Sequence, residues 1–225
     1  MIISPSAISP YKIPTFQSGG EVPFSFGNAL EFDGVNDYVS SYTLTSNVST
    51  MSFWFYATNG ANRRMVSATN TSNPTLRLNG GGVVFYVTTL FASVNLNQWN
   101  HLVFVSNNGE TAKAYLNGTP TTHTVFFPSG SVIGIGAKTN LTFGNNFQGK
   151  QDEFAIKENY IILDAEVAEL YNLGNGNNFN TVVGSSDVYY QFNQTSPDST
   201  ATDSSGNGNT GTLNNFNTST CWVAH

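Results

Sequence analysis

Phe26-Gly-Asn-Ala-Leu-Glu-Phe-Asp-Gly-Val-Asn-Asp-Tyr-Val39 is the stretch whose reading decides the fold. Ala29, Glu31 and Asp33 alternate with Leu30, Phe32 and then Val35, the period of a strand with one buried face. Asp33-Gly34 and Asn36-Asp37 interrupt that pattern with residues that accept left-handed backbone or bond their own main chain. The spacing predicts two strands meeting at an acidic corner.

Downstream, Met51-Ser-Phe-Trp-Phe-Tyr-Ala57 is apolar or aromatic on both pleat faces, which predicts a strand covered on both sides. Residues 63–67, 75–78 and 82–87 read as short strands of a meander, separated by Asn, Gly, Ser and Pro turns. Residues 99–105 and 112–119 form a second strand block, in which Asn117-Gly118 is the strongest short hairpin signal. Residues 130–136 are glycine-rich but follow a Val/Ile strand pattern and open no helix, so they are not a phosphate loop. After a strand over 147–156, residues 163–174 predict the one helix longer than a turn. Asp164 is its expected N-cap, Glu166 suits its positive end, Val167, Leu170 and Tyr171 share a face, and Gly174 ends it. Residues 188–192 are a late strand, followed by the glycine-rich block Asp203 to Leu213.

Upstream, residues 1–23 carry Pro5, Pro10, Pro14 and Pro23 among small polar residues, which predicts an extended arm. Ile2, Ile3, Ile8, Tyr11, Ile13 and Phe16 supply apolar anchors, so the arm is expected to dock, on a partner or along its own domain. Its start has no basic region and no sustained apolar run, the features of a secretion signal or membrane anchor.

The 225 residues suit one large all-β domain. Charged residues make up 10%, against roughly 25% in an average globular chain. The net charge of −6 and the lack of a Lys/Arg cluster exclude phosphate-driven nucleic-acid binding and attraction to an anionic membrane. Cys221 is the only cysteine, so neither an intrachain disulfide nor a thiolate zinc site can form. Asn-x-Ser/Thr sequons begin at Asn47, Asn70, Asn117, Asn140, Asn193 and Asn217; they matter only in a secretory pathway, and so Asn- and Thr-rich a chain yields them by chance.

The stretch Ala29-Leu-Glu-Phe-Asp-Gly-Val-Asn-Asp-Tyr-Val39, the Trp99-Asn-His-Leu-Val-Phe block with Ala114-Tyr-Leu-Asn-Gly118, and residues 147–174 resemble laminin G-like domains of the concanavalin A-like superfamily. The resemblance implies an all-β, two-sheet antiparallel jelly-roll sandwich over residues 24–225, with one short helix and the arm over 1–23. In many such domains the Asp203-Ser-Ser-Gly-Asn-Gly-Asn block precedes the acidic corner. Here it comes last, so residues 186–225 are expected to complete the sandwich in permuted order, within their own chain or in a neighbouring copy.

The resemblance also implies glycan binding, often with calcium. Calcium wants six to eight oxygens, and the expected ligands are Asp33, Asn36 and Asp37 at the corner with Asp152 on the closing strand. Asp203-x-Ser205-x-Asn207-Gly208 mimics the start of an EF-hand loop, but its twelfth position is Asn214 and no helices flank it, so it reads as a turn. The Asn/Gly-rich loops at 59–62, 70–73, 79–82 and 144–147 suit sugar hydroxyls. No catalytic residues are assigned. Asp152 and Glu153 are adjacent, which on a regular strand sends them to opposite faces, and His101, His123 and His225 have no partner motif. The expectation is therefore not an enzyme but a virion structural protein: a capsid-decorating, tail or fibre component. Its arm would join other virion proteins or further copies in a homo-oligomer, and its jelly roll would touch host glycans. The alternative is a calcium-assisted carbohydrate-binding lectin, extracellular or at a cell surface.

Overall fold

The computed structural model describes residues 26–69, 74–85, 88–137 and 145–225. The expected arm over 1–23 and the loop 70–73 lie outside them, as does Gly144. The described strands are β1 (Asn28–Asp33), β2 (Tyr38–Thr43), β3 (Val48–Ala57), β4 (Arg63–Thr69), β5 (Thr75–Asn79), β6 (Gly82–Phe85), β7 (Thr88–Phe91) and β8 (Trp99–Asn107). They continue as β9 (Ala112–Leu116), β10 (Thr119–His123), β11 (Val132–Ile135) and β12 (Gln148–Glu158). After helices α1 (Asp164–Tyr171) and α2 (Phe179–Val182) come β13 (Val188–Tyr190), β14 (Thr200–Ala201), β15 (Gly211–Asn214) and β16 (Trp222–Ala224).

These strands form two antiparallel sheets of eight. One, sheet A, runs β10-β9-β8-β3-β12-β1-β16 with β13 also on β12; the other, sheet B, runs β14-β15-β2-β11-β4-β5-β6-β7. The fold is a two-sheet jelly-roll sandwich with one short helix of more than a turn. Phe32, Phe53, Phe55, Phe104, Phe127 and Phe154 fill the space between the sheets together with Ile133, Ile135 and Leu76. No helix among the described residues is long and apolar enough to cross a membrane.

The double-sided apolar character of β3, β8 and β12 has a physical reason. On β8 and β12 the second face is roofed by α1 and α2, whose Val167, Leu170 and Phe179 pack with Val103, Val105, Ala155 and Tyr189; on β3 it carries the buried Thr50, Ser52 and Trp54, with Trp54 stacked against Tyr171 of α1 at 6.0 Å. Burying each such side chain contributes roughly 1.5–3 kcal/mol. The expected N-cap of α1 moves by one residue. Leu163 takes the cap position with extended backbone, and Glu166 accepts its N–H at 2.8 Å. Asp164 begins the helix instead, because its carboxylate is drawn to Lys113 Nζ (2.7 Å) and the Tyr115 hydroxyl (2.5 Å) on the neighbouring sheet. Asn172, with φ 44°, closes the helix before Gly174. The Asn117-Gly118 turn joins β9 to β10 with positive φ at both residues, the geometry such hairpins require.

Residues near both termini frame the corner. β1 belongs to sheet A and β2 to sheet B, so the turn between them crosses from one sheet to the other. The late strands add to both sheets: β15 pairs with β2 and β16 with β1. Residues 215–221 therefore make the return crossing beside the corner.

Candidate functional site

The corner is a self-bonded turn. Asp33 Oδ1 accepts the N–H groups of Val35 (2.7 Å) and Asn36 (3.3 Å), and Asp37 Oδ2 accepts that of Asp33 (3.0 Å). The turn carbonyls are bonded from outside. Arg63 Nη1 donates to Gly34 O (3.2 Å), Asn146 Nδ2 to Val35 O (2.7 Å), and Asn215 Nδ2 to Asn36 O (3.0 Å). Phe216 packs edge-on against Phe32 at 5.2 Å and seats the return crossing.

Between the two crossings lies a cleft of about 500 Å³, within the roughly 300–1,000 Å³ of small-ligand sites. It is lined by the carboxylates of Glu31, Asp33 and Asp37 and by Gln148, Asn217 and Thr220. Asp37 is 5% exposed, and its Oδ1 is buried without a hydrogen-bond partner. Burial, with the negative charge of Asp33 nearby, pushes its carboxyl up to about 6, against the hydrogen bond to the Asp33 N–H.

Of the expected calcium ligands, only Asp33 and Asp37 line this cleft. Asn36 sits at the turn with its carbonyl already taken by Asn215. Asp152 is elsewhere: Asp33 is in register with Gln148 and Leu30 with Gln151, so Asp152 lies beyond a further three pairs along β12. Its Oδ2 instead meets His225 Nδ1 at 2.7 Å. No group of three or more His, Cys, Asp or Glu among the described residues could hold a metal ion. The corner's own share of a calcium shell is therefore two carboxylates. The unbonded, buried Oδ1 of Asp37 beside Asp33 fits a cation, and the remaining oxygens must come from neutral groups.

The side chains of Asp152 and Glu153 do not point to opposite faces. Glu153 has φ 51° and the β3–β12 register shifts between Asp152 and Ala155, a bulge that turns both carboxyls to the outer face of sheet A. Phe154 consequently points into the core and Ala155 out of it. Glu153 accepts the Tyr189 hydroxyl, and burial pushes its carboxyl up to about 7. Asp152 is raised well above the usual carboxylate range by burial and by Glu153. Both are buried, so they line no surface that a polymer could enter.

The Asp203 block is a turn. Asp203 Oδ1 accepts the N–H groups of Tyr189 (3.0 Å) and Ser205 (2.9 Å), and Oδ2 accepts the Ser205 hydroxyl and the Asn209 N–H, both at 2.8 Å. Burial pushes this carboxyl up, but those bonds outweigh it and hold the group below its usual value. Asp203→Asn is expected to lower stability by about 2 kcal/mol at pH 7, read as the urea midpoint. Because the folded pKa is depressed, the difference should shrink as pH falls through it, where the parent carboxylate is itself neutral.

The sequence reading missed Asn215, Asn217 and Thr220, which the return crossing brings to the corner from the far end of the chain. Their only signal is the run Asn214-Asn-Phe-Asn-Thr-Ser-Thr220.

A family model of the concanavalin A-like lectin/glucanases superfamily matches residues 33–168, more than half of the chain, beginning at the corner aspartate. The chain belongs to this superfamily. No curated protein sequence matches it. Among solved members of similar fold, a putative carbohydrate binding protein from Bacteroides ovatus is 15% identical with a TM-score of 0.63, covering 85% of this chain and 59% of that one. Domain 4 of AbnA, an extracellular arabinanase from Geobacillus stearothermophilus, was solved with arabinotriose. It is 19% identical with a TM-score of 0.52, over 71% of this chain and 82% of that domain. The heptameric SAP-like pentraxin from Limulus polyphemus is 14% identical with a TM-score of 0.53, over 65% and 82%. At such identities the likeness is one of fold: the superfamily sandwich is a lectin-like framework shared with carbohydrate-binding modules.

Proposed function

We propose that the chain is a carbohydrate-binding module and that the corner cleft takes the hydroxyl-bearing edge of a sugar. Asp37 carries the proposal. A carboxyl so buried, with one oxygen unbonded, costs free energy unless a ligand supplies the missing donor. Adjacent sugar hydroxyls can donate to Asp37 and Asp33, while Gln148, Asn217 and Thr220 offer both donors and acceptors. Calcium belongs to the same proposal. Asp33 and Asp37 would hold it, and it would supply a positive centre for hydroxyl oxygens.

The wider setting rests on the sequence: display on a virion, with residues 1–23 joining the module to other virion proteins or to further copies. Mass photometry and co-sedimentation of the intact chain against one lacking 1–23 test it, and equal behaviour of the two would rule it out. Binding itself is tested by calorimetric titration of neutral oligosaccharides with calcium and with a chelator. Saturable binding is expected, strengthened by calcium; heat indistinguishable from dilution across the panel would end the proposal.

A further inference from the structure

The corner cleft gathers negative charge. Glu31 and Asp33 are alternate residues of β1 and share a pleat face, while Asp37 enters from the β2 side of the turn. Among the described residues, none of the three forms an ion pair with a lysine or arginine. Lys150 stands opposite Glu31 in register, but its ammonium bonds Ala224 O at 3.0 Å and lies over the Tyr56 ring. Arg63 gives its guanidinium to Gly34 O, Asn146 O and Gln148 Oε1. The last of these bonds turns the Gln148 amide, so that its oxygen faces Arg63 and its NH2 the other way.

Asp37 narrows the choice of ligand. It is 5% exposed, its Oδ2 holds the Asp33 N–H, and its Oδ1 is buried without a partner. The Asp33 charge lies close enough to raise its carboxyl further. What is missing is a donor that also carries positive charge. Calcium answers the charge but wants six to eight oxygens, and the corner has two carboxylates to give. A primary ammonium is a compact charge with three donors, and three acceptors satisfy it. An amino sugar carries that group in place of one hydroxyl, with further hydroxyls beside it for Gln148, Asn217 and Thr220.

We propose that the corner cleft selects sugars bearing a free amino group, with the ammonium seated between Asp37 and Asp33. This rests on the reading of the corner as a carbohydrate site and names the ligand class of that site. Ammonium and calcium compete for the same two carboxylates. Calcium should therefore strengthen the binding of neutral sugars and weaken that of amino sugars.

Calorimetry on the full chain at pH 7, with a chelator, compares glucosamine oligomers with glucose oligomers of the same linkage and length. The amino oligomer should bind about tenfold or more tightly, since its bonds to the carboxylates are charge-assisted. N-acetylation, which removes the charge, should remove the preference, and added calcium should reduce it. D37N should abolish most of it. E169Q, which removes the same unit of charge from the exposed face of α1, should leave it unchanged. Equal affinities for the amino and glucose oligomers would overturn this inference and leave the corner a neutral-sugar site, whereas no binding of either would end the carbohydrate reading with it. Equal losses in D37N and E169Q, or a lysine-rich peptide binding as tightly as the amino oligomer, would also overturn it, as plain attraction of cations to an acidic chain.

Discussion

Asp37→Asn should move stability and binding in opposite directions. The Asp37 carboxyl is raised from 3.8 to about 6, mainly by burial. A raised carboxyl pKa means that the folded state holds its proton longer than the unfolded one. Its penalty is absent below about pH 4, grows between pH 4 and 6, and is constant above. At 1.36 kcal/mol per unit the penalty at pH 7 is at most about 3 kcal/mol. Asparagine keeps an oxygen for the Asp33 N–H and carries no charge, so the variant should be more stable than the parent at pH 7 by about 1–2 kcal/mol and equal to it near pH 3. Ligand donors and cations favour the ionised form, so parent affinity should rise with pH through 6. The variant should lose that dependence and about a hundredfold in affinity. Paired denaturation and calorimetry at pH 3, 5 and 7 read both effects. A variant less stable at pH 7, with affinity intact, would show Asp37 to be a structural turn residue.

The largest loss of stability is expected at Gly149, which lines the same cleft. Its φ is 132°, and a Cβ there would stand 2.0 Å from the Tyr56 carbonyl oxygen. Both partners are backbone, on the central β3–β12 pair, so neither can swing aside. Gly149→Ala must force the two strands apart or move residue 149 out of its positive-φ backbone. A cost of about 4 kcal/mol or more follows, which for a chain of this length lowers the unfolding temperature by roughly 10 °C or more. A melting curve within 2–3 °C of the parent would show that the β3–β12 pair can absorb the added Cβ, and would contradict this expectation.

The sequence made the sandwich legible because its strongest signals are short-range. The alternation before Asp33, the Asn117-Gly118 hairpin and the apolar faces of α1 each act within one or two elements. The doubly apolar β3 was legible as a covered strand, and the rings of Phe26, His101 and Tyr171 are what pack on its Trp54. Two features were not legible. Bulges leave no side-chain signature, so the turn to one face at Glu153 appears only in the strand register. The cleft was half legible: Asp33 and Asp37 announce themselves in the turn, but the Asn215–Asn36 bond spans 179 residues of sequence separation. Asp152 was misplaced for the same reason, since its distance from the corner depends on the offset between β1 and β12.

The most direct test of the central claim is to locate the bound sugar by amide chemical-shift mapping on the labelled full chain. Titration with the tightest neutral oligosaccharide should move the resonances of Asp33, Asp37, Gly149 and Thr220, which line the corner cleft, and leave those of α1 and β9 in place. Shifts confined to another face, with these four unmoved, would contradict the assignment of the corner as the carbohydrate site.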